Sequence, residues 1–275
     1  EQLTMPHLYM LEPYNPNKKI IVLVHGLASS PEAWIRLTND IMGDPVLREH
    51  FQVWQVFYST NMPIVESRFQ IHAVLTQAFA QVSNQAPAKN NAVLIGHSMG
   101  GIIARLLVSD ADVTQNALKM MNARQINQYK NVNVVKDRLV MKDIPNFSRA
   151  IFLSAPHRGT EFADRWFTRA ARKIIKLPGA FLSAMADVLT QEEDLKDLFK
   201  EIDHGLIQNG PSDLSYKSKF IALTEDIMPK KGMKYHSIIG NATKSDDLNI
   251  ITDDVVPYKS AHLEGAISEK ILKGG

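Results

Sequence analysis

Short runs of apolar residues alternate along this chain with longer segments whose apolar positions repeat at helical spacing. Each short run is predicted to be a strand, because β-branched residues are frequent in it and turn residues bound it. These runs lie at 20–24, 51–58, 92–95, 150–153, 235–239 and 267–272. Helices are predicted over 65–83 and 100–109. The inward side chains of the first helix are expected to be Val65, Phe69, His72, Ala73 and Leu75. Strands that alternate with helices predict the α/β class, with a mostly parallel central sheet flanked by helices.

Two segments interrupt this alternation. Residues 111–146 are polar and mixed, and residues 161–232 have a mostly helical pattern. Because strand-like runs continue after both, they are interpreted as insertions into one domain of residues 1–275. Residues 161–232 are expected to form a helical cap over one end of the sheet, where binding sites are usually built.

Composition excludes several classes of function but does not identify one. The 275 residues are 45% hydrophobic and 22% charged, with a net charge of +2, which fits a globular protein and does not favour nucleic acid as the partner. The absence of cysteine excludes disulfides, thiolate metal sites and a cysteine nucleophile. No phosphate-binding loop, dinucleotide fingerprint or H-E-x-x-H motif occurs, so neither a cofactor nor a metal is expected. Compartment and oligomeric state stay open, and a segment is expected to precede Glu1, which is not a methionine.

The strongest chemical motif is Gly96-His97-Ser98-Met99-Gly100, which matches G-x-S-x-G between a predicted strand and a predicted helix. A sharp strand-to-helix turn exposes the serine hydroxyl, and glycines on both sides avoid a collision with the neighbouring backbone. The N-terminal N–H groups of the following helix can stabilise a developing oxyanion. The motif therefore predicts that Ser98 is a nucleophile.

A second motif, His25-Gly26-Leu27, follows the predicted strand at 20–24. This is the point at which an α/β-hydrolase places its other oxyanion donor. An ordinary turn at a strand end is the alternative interpretation of the His-Gly pair taken alone.

With these two motifs the chain resembles an α/β-hydrolase of the lipase/esterase type, and most resembles bacterial lipase-like proteins related to the GPI-inositol-deacylase group. Four blocks carry the resemblance: 24–27, 96–101, 154–160 (Ser-Ala-Pro-His-Arg-Gly-Thr) and 252–263, which begins Thr-Asp-Asp-Val-Val-Pro. The resemblance implies the α/β-hydrolase fold, Ser98 as nucleophile, and the N–H groups of Leu27 and Met99 as the oxyanion hole.

The resemblance also implies an acid and a base. The acid is Asp253, although Asp254 stands where the family usually has glycine, and we favour Asp253 over Asp254. The base is expected just after the last strand, which places it beyond Gly275. The alternative base is His262, which follows Asp253 but precedes the last strand.

Three other histidines lie within or beside the motifs. His25, His97 and His157 are candidates for lining the cleft, and a structural role is favoured for each.

The predicted cap suggests the substrate. Residues 161–177 have an aromatic face and a basic face on a helix, which suits peripheral contact with an anionic membrane, although a cap helix with a solvated basic face is favoured. Apolar residues continue over 181–189. The sequence therefore predicts a serine hydrolase that cleaves lipid-like acyl esters. A non-catalytic module that binds a lipid or a partner, and an acyltransferase or thioesterase, are the alternatives.

Overall fold

The computed structural model describes residues 6–26, 31–60, 62–120, 133–160, 213–214, 218–252 and 256–273. Seven strands form one sheet in the order β1-β3-β2-β4-β7-β8-β9, and β5 pairs with β6 in a separate two-stranded sheet. The strands are β1 (His7–Met10), β2 (Lys19–Val24), β3 (Phe51–Phe57), β4 (Ala92–His97), β5 (Ala111–Asp112), β6 (Val140–Met141), β7 (Phe147–Leu153), β8 (Lys234–Asn241) and β9 (Ser268–Lys273). The helices are α1 (Pro31–Gly43), α2 (Pro45–His50), α3 (Ile64–Ala80), α4 (Met99–Leu107), α5 (Thr114–Lys119), α6 (Asn133–Leu139), α7 (Lys219–Thr224) and α8 (Tyr258–Ala261).

All pairings in the large sheet are parallel except that between β1 and β3. The six apolar runs of the sequence form β2, β3, β4, β7, β8 and β9, so these strand predictions and the α/β class are confirmed. The sequence analysis did not predict β1. This edge strand has four residues and lacks the length that makes an apolar run recognisable.

Helices cover both faces of the sheet, because successive side chains of a buried parallel strand point to opposite faces. Val22 and Leu94 pack with α3 and α4 on one face. Ile21 and Ile95 pack with α1 and α2 on the other face. Burying one such aliphatic side chain contributes about 1.5–3 kcal/mol, so these central strands hold the two helical layers together.

The expected inward face of α3 is partly wrong. Val65 and Leu75 are buried, but Phe69 and His72 are only half-buried and Ala73 is exposed. The buried aliphatic and aromatic side chains of α3 are Ile64, Val65, Ile71, Leu75 and Phe79. The start of α3 is also buried at polar positions, because Glu66 binds Arg138 of α6 and the guanidinium of Arg138 lies 3.9 Å from the centroid of the Phe69 ring. Because α6 packs on α3 in addition to the sheet, the buried positions of α3 differ from those that helical spacing predicts.

The chain leaves the sheet for the predicted cap at one place and returns to the same place. The N–H of Thr160 donates to the carbonyl of Leu214 at 2.9 Å. Next to it, the carboxylate of Asp213 accepts from the N–H of Ile64 at the start of α3. Of the predicted cap, residues 161–212 and 215–217 lie outside the described residues, and α7 lies in its last part. In the smaller insertion, the structure has β5, α5, α6 and β6. No helix within the described ranges is long and apolar enough to cross a membrane.

Candidate active site

Ser98 occupies the turn between β4 and α4, at the carboxyl edge of the sheet. Its backbone has φ 54° and ψ −126°, a conformation that L-residues rarely adopt and that costs about 1–3 kcal/mol. Its N–H donates to the carbonyl of Leu153 at the end of β7, and its carbonyl accepts from the N–H of Gly101, both at 2.9 Å. The serine is therefore held in a strained turn by the neighbouring strand and by the helix that it begins.

The two glycines of the motif allow the strand and the helix to approach closely. A Cβ atom on Gly96 would lie 2.3 Å from the carbonyl oxygen of Gly100, which is far below any normal contact. The turn that sequence spacing indicated is thus possible only without side chains at these positions.

The end of β2 lies directly against this turn. A Cβ atom on Gly26 would be 2.9 Å from the backbone nitrogen of Met99 and 2.9 Å from the Cβ of Ser98. Met99 is the first residue of α4, so its N–H precedes the first intrahelical hydrogen bonds. The structure therefore brings together Ser98, Met99 and the residue before Leu27. Leu27 itself lies outside the described residues.

The segment that carries the expected acid begins and ends beside the carboxyl end of β8. The N–H of Ala242 donates to the carbonyl of Thr252 at 2.8 Å, and Thr252 forms an antiparallel bridge with Pro257. Since β8 lies two strand positions from β4 in a parallel sheet, both flanks belong to the edge at which Ser98 lies. Asp253 and Asp254 lie outside the described residues.

His262 lies over β9 and not beside the nucleophile. Its Nδ1 is 2.6 Å from the Oε1 of Glu269, and the ring stacks on Tyr258 with the centroids 5.3 Å apart. The strand β9 is three positions from β4, which is about 14 Å at the usual strand spacing. Within the described ranges no histidine forms a hydrogen bond with Ser98 Oγ, so the structure does not bring a base to the nucleophile there.

Two of the remaining candidate histidines flank the turn. His25 precedes Gly26 and packs its ring on Tyr58, with the centroids 4.5 Å apart. Burial lowers the pKa of His25, which favours a neutral ring at neutral pH. His97 is half-buried and, by the alternation along β4, points to the face covered by α1 and α2.

His157 is buried beneath α4, with 1% of its surface exposed. Its Nδ1 accepts from the Nε of Arg105 at 3.0 Å, and its ring meets Phe152 edge-to-face at 5.2 Å. Burial and the neighbouring arginine charges hold the pKa of His157 well below its usual range. His157 is thus a neutral core residue that supports the helix behind the nucleophile, and it does not line a cleft.

Tyr58 contacts His25 beside the nucleophile turn, and Arg158 contacts α8 from the loop after β7; the sequence analysis singled out neither. The hydroxyl of Tyr58 donates to the carbonyl of His25 at 2.7 Å. Arg158 donates to the carbonyls of Lys259 and His262, which joins the loop after β7 to α8. Each follows a strand at the same edge of the sheet, a position that would have marked it as a candidate. In the described part of the chain, no cluster of three or more His, Asp or Glu side chains could hold a metal ion.

A strained serine at the carboxyl edge of a mostly parallel sheet, between a strand and a helix, defines the class of α/β proteins with a nucleophile turn. The chain belongs to the alpha/beta hydrolase family, since a model of that family matches residues 21–223. Comparison with curated proteins found no match.

Solved structures show the same fold. The mature form of the lipase BlEst2 from Bacillus licheniformis has a TM-score of 0.53 and 18% identity, over 96% of this chain and 90% of that one. The propeptide form of that lipase has a TM-score of 0.54 and 18% identity, over 97% of this chain and 49% of that one. A lipase-esterase related protein from Clostridium acetobutylicum has a TM-score of 0.44 and 13% identity, over 99% of this chain and 92% of that one. At 18% identity, the likeness to the two forms of the Bacillus licheniformis lipase concerns the fold alone.

Proposed function

We propose that this protein is a serine hydrolase that cleaves carboxylic esters through an acyl-enzyme on Ser98. The observation that carries the proposal is the backbone of Ser98, strained at φ 54° between β4 and α4. Strain of this kind persists only where the surrounding structure imposes it, and it is concentrated at functional sites. Membership of the alpha/beta hydrolase family supports the same reaction class.

In the proposed mechanism, the Oγ of Ser98 attacks the ester carbonyl while a base takes its proton. The N–H groups of Met99 and Leu27 stabilise the oxyanion of the tetrahedral intermediate, which collapses as the alcohol leaves with a proton from the base. Water then attacks the acyl-enzyme by the same route and releases the acid. Gly26 supports this arrangement, because it contacts Met99 at the start of α4 and directly precedes Leu27 in the chain.

The orienting acid in this proposal is Asp253, on the segment anchored at the end of β8, with Asp254 as its alternative. We assign the base to a histidine outside the described residues and not to His262, because the ring of His262 lies over β9, three strand positions from the strand that leads to Ser98. This assignment follows the resemblance, in which the base comes after the last strand.

Acyl esters with an apolar chain are the proposed substrates. This part of the proposal rests on the apolar positions at 181–189 in the sequence. The relation to the GPI-inositol-deacylase group rests likewise on the four sequence blocks and stays a prediction. Contact of the basic helix at 161–177 with a membrane also stays a prediction.

The proposal is tested by the rate of labelling with a fluorophosphonate probe and by hydrolysis of p-nitrophenyl butyrate and octanoate. Ser98→Ala is expected to abolish both signals. Ser154→Ala is the matched control, because Ser154 also has a positive φ, 46°, and follows the adjacent strand β7. His262→Gln is expected to be labelled at the unmodified rate. If the protein in its full natural length is not labelled, or if its Ser98→Ala variant is labelled equally fast, the hydrolase proposal is wrong.

A binding module without catalysis is the second candidate. The apolar positions at 181–189 in the sequence favour it, because an apolar cap can hold a lipid without cleaving it. Failure of the unmodified protein to react with the probe, together with retained binding of a non-hydrolysable ether lipid, would support this candidate.

A further inference from the structure

Tyr58 lies at the carboxyl end of β3, beside the loop that begins with His25 and Gly26. It is buried, with 8% of its surface exposed, and its hydroxyl donates to the carbonyl oxygen of His25 at 2.7 Å. Its ring also packs on the imidazole of His25, with an angle of 30° between the ring planes. In addition, the backbone N–H of Tyr58 donates to His25 Nε2 at 3.4 Å. One residue therefore holds both the main chain and the side chain of His25.

The carbonyl of His25 is enclosed on a second side by α4. A Cβ atom on Gly100 would lie 2.3 Å from the His25 oxygen, so the backbone of Gly100 is in direct contact with it. A carbonyl between the Tyr58 hydroxyl and the Gly100 backbone has one available direction. This direction sets the plane of the peptide that joins His25 to Gly26, because the six atoms of a peptide unit are coplanar.

Gly26 transmits this orientation to the nucleophile turn. Its Cα is so close to Met99 that an added Cβ would lie 2.9 Å from the Met99 nitrogen. A rotation of the His25–Gly26 peptide would therefore move the loop relative to the first N–H of α4. The contacts run from Tyr58 through His25 and Gly26 to Met99 without a gap.

We propose that Tyr58 is a positioning residue, which holds the peptide between His25 and Gly26, at the start of the proposed oxyanion loop, in its place against α4. This inference rests on the proposed function for its catalytic consequence, and it adds a residue that neither sequence motif contains. The physical reason is that oxyanion stabilisation requires donors that are already oriented before charge develops. Burial raises the pKa of Tyr58, so its hydroxyl stays protonated and can donate at neutral pH.

Replacement of Tyr58 with phenylalanine removes the hydrogen bond and keeps the ring. We expect kcat for p-nitrophenyl butyrate to fall about tenfold, which corresponds to one neutral hydrogen bond of about 1.4 kcal/mol. KM is expected to stay within about twofold, because the loop binds the oxyanion of the transition state and not the ground-state ester.

Tyr235→Phe is the matched control. The hydroxyl of Tyr235 also donates to a backbone carbonyl, that of Glu264, but Tyr235 is near the start of β8, away from the edge at which Ser98 lies. Both variants lose one tyrosine–carbonyl bond, so a purely structural role predicts a similar loss of Tm and no change of kcat in either. Only a positioning role predicts that kcat falls in Tyr58→Phe and stays unchanged in Tyr235→Phe.

Hydrogen exchange followed by mass spectrometry gives a readout that does not need activity. In Tyr58→Phe, the peptide that contains Gly26 is expected to exchange about tenfold faster than in the unmodified protein, while Tyr235→Phe leaves its rate unchanged. An unchanged exchange rate, or an unchanged kcat in an active protein, would overturn the role of Tyr58. If the unmodified protein has no Ser98-dependent activity, the proposed function fails, and the exchange rate alone still decides whether Tyr58 holds the loop.

Discussion

Replacement of Ser98 with glycine is expected to stabilise the fold while it removes the nucleophile. At φ 54° and ψ −126°, a residue with a side chain is strained by about 1–3 kcal/mol. Glycine releases this strain, but it loses about 0.5–1 kcal/mol more conformational free energy on folding. The expected net gain in the free energy of unfolding is therefore between about 0 and about 2.5 kcal/mol.

Ser98→Ala separates strain from the loss of the hydroxyl. Both variants lack the Oγ, but alanine keeps the Cβ that causes the strain, so only the glycine variant is expected to be stabilised. Urea denaturation measures the difference directly, and each kcal/mol corresponds to about 2–4 °C in Tm for a domain of this size. Asn91→Gly is a useful comparison, because Asn91 has a similar φ of 55° but asparagine tolerates the left-handed region.

Equal stability of the glycine and alanine variants of Ser98 would refute this reasoning. It would mean that the turn stores no strain that a smaller residue can release. The backbone of Ser98 would then no longer distinguish a functional turn from an ordinary one, and the proposed function would lose its main structural support.

Three further predictions concern the surroundings of the site. Gly26→Ala is expected to destabilise the fold by about 1–3 kcal/mol and to slow fluorophosphonate labelling, because the new Cβ would lie 2.9 Å from the Met99 nitrogen; a labelling rate like that of the unmodified protein would contradict this. The free energy of unfolding is expected to fall as the pH drops below about 6.5, by up to about 1.4 kcal/mol per pH unit. The reason is that His157 binds a proton in the unfolded chain, whereas burial in the fold holds the pKa of His157 well below its usual range. His157→Gln should flatten this dependence in denaturation measured at several pH values. Arg138→Met is expected to cost about 2–3 kcal/mol, because it leaves the buried carboxylate of Glu66 without its cation, and Glu66→Gln in the same chain should recover part of the loss.

The strands were predictable because a fully buried parallel strand appears in the sequence as a continuous run of apolar residues. In β2 every position after Lys19 is buried, and in β4 every position is buried or half-buried, so both strands have continuous apolar runs in the sequence. The turn at Ser98 was predictable in part because Gly96 is required by a contact with the nearby Gly100, although Gly100 is itself required by contacts with Val24 and His25 at the end of β2. By contrast, β1 is short, and its pairing with β3 depends on residues more than forty positions away.

The inward face of α3 shows how packing changes a helical pattern. Periodicity assumes one covered face, but α3 is covered both by the sheet and by α6, which buries Glu66 and half-buries Phe69. Helical spacing within α3 contains no information about α6, which follows some seventy residues later in the chain and packs on it. The same limit applies to His157, whose burial depends on Arg105 of α4.

The sequence by itself determined the α/β class, the positions of the main strands along the chain and the position of the strained serine. These features follow from local chemistry: side-chain hydrophobicity, the period of its repetition and the need for glycine in a close backbone approach. Only the tertiary structure decided that Gly26 touches Met99, that Tyr58 holds the carbonyl of His25, and that His262 lies over β9. These contacts join residues distant in the chain, and the direction of each side chain depends on how the whole sheet and its helices pack.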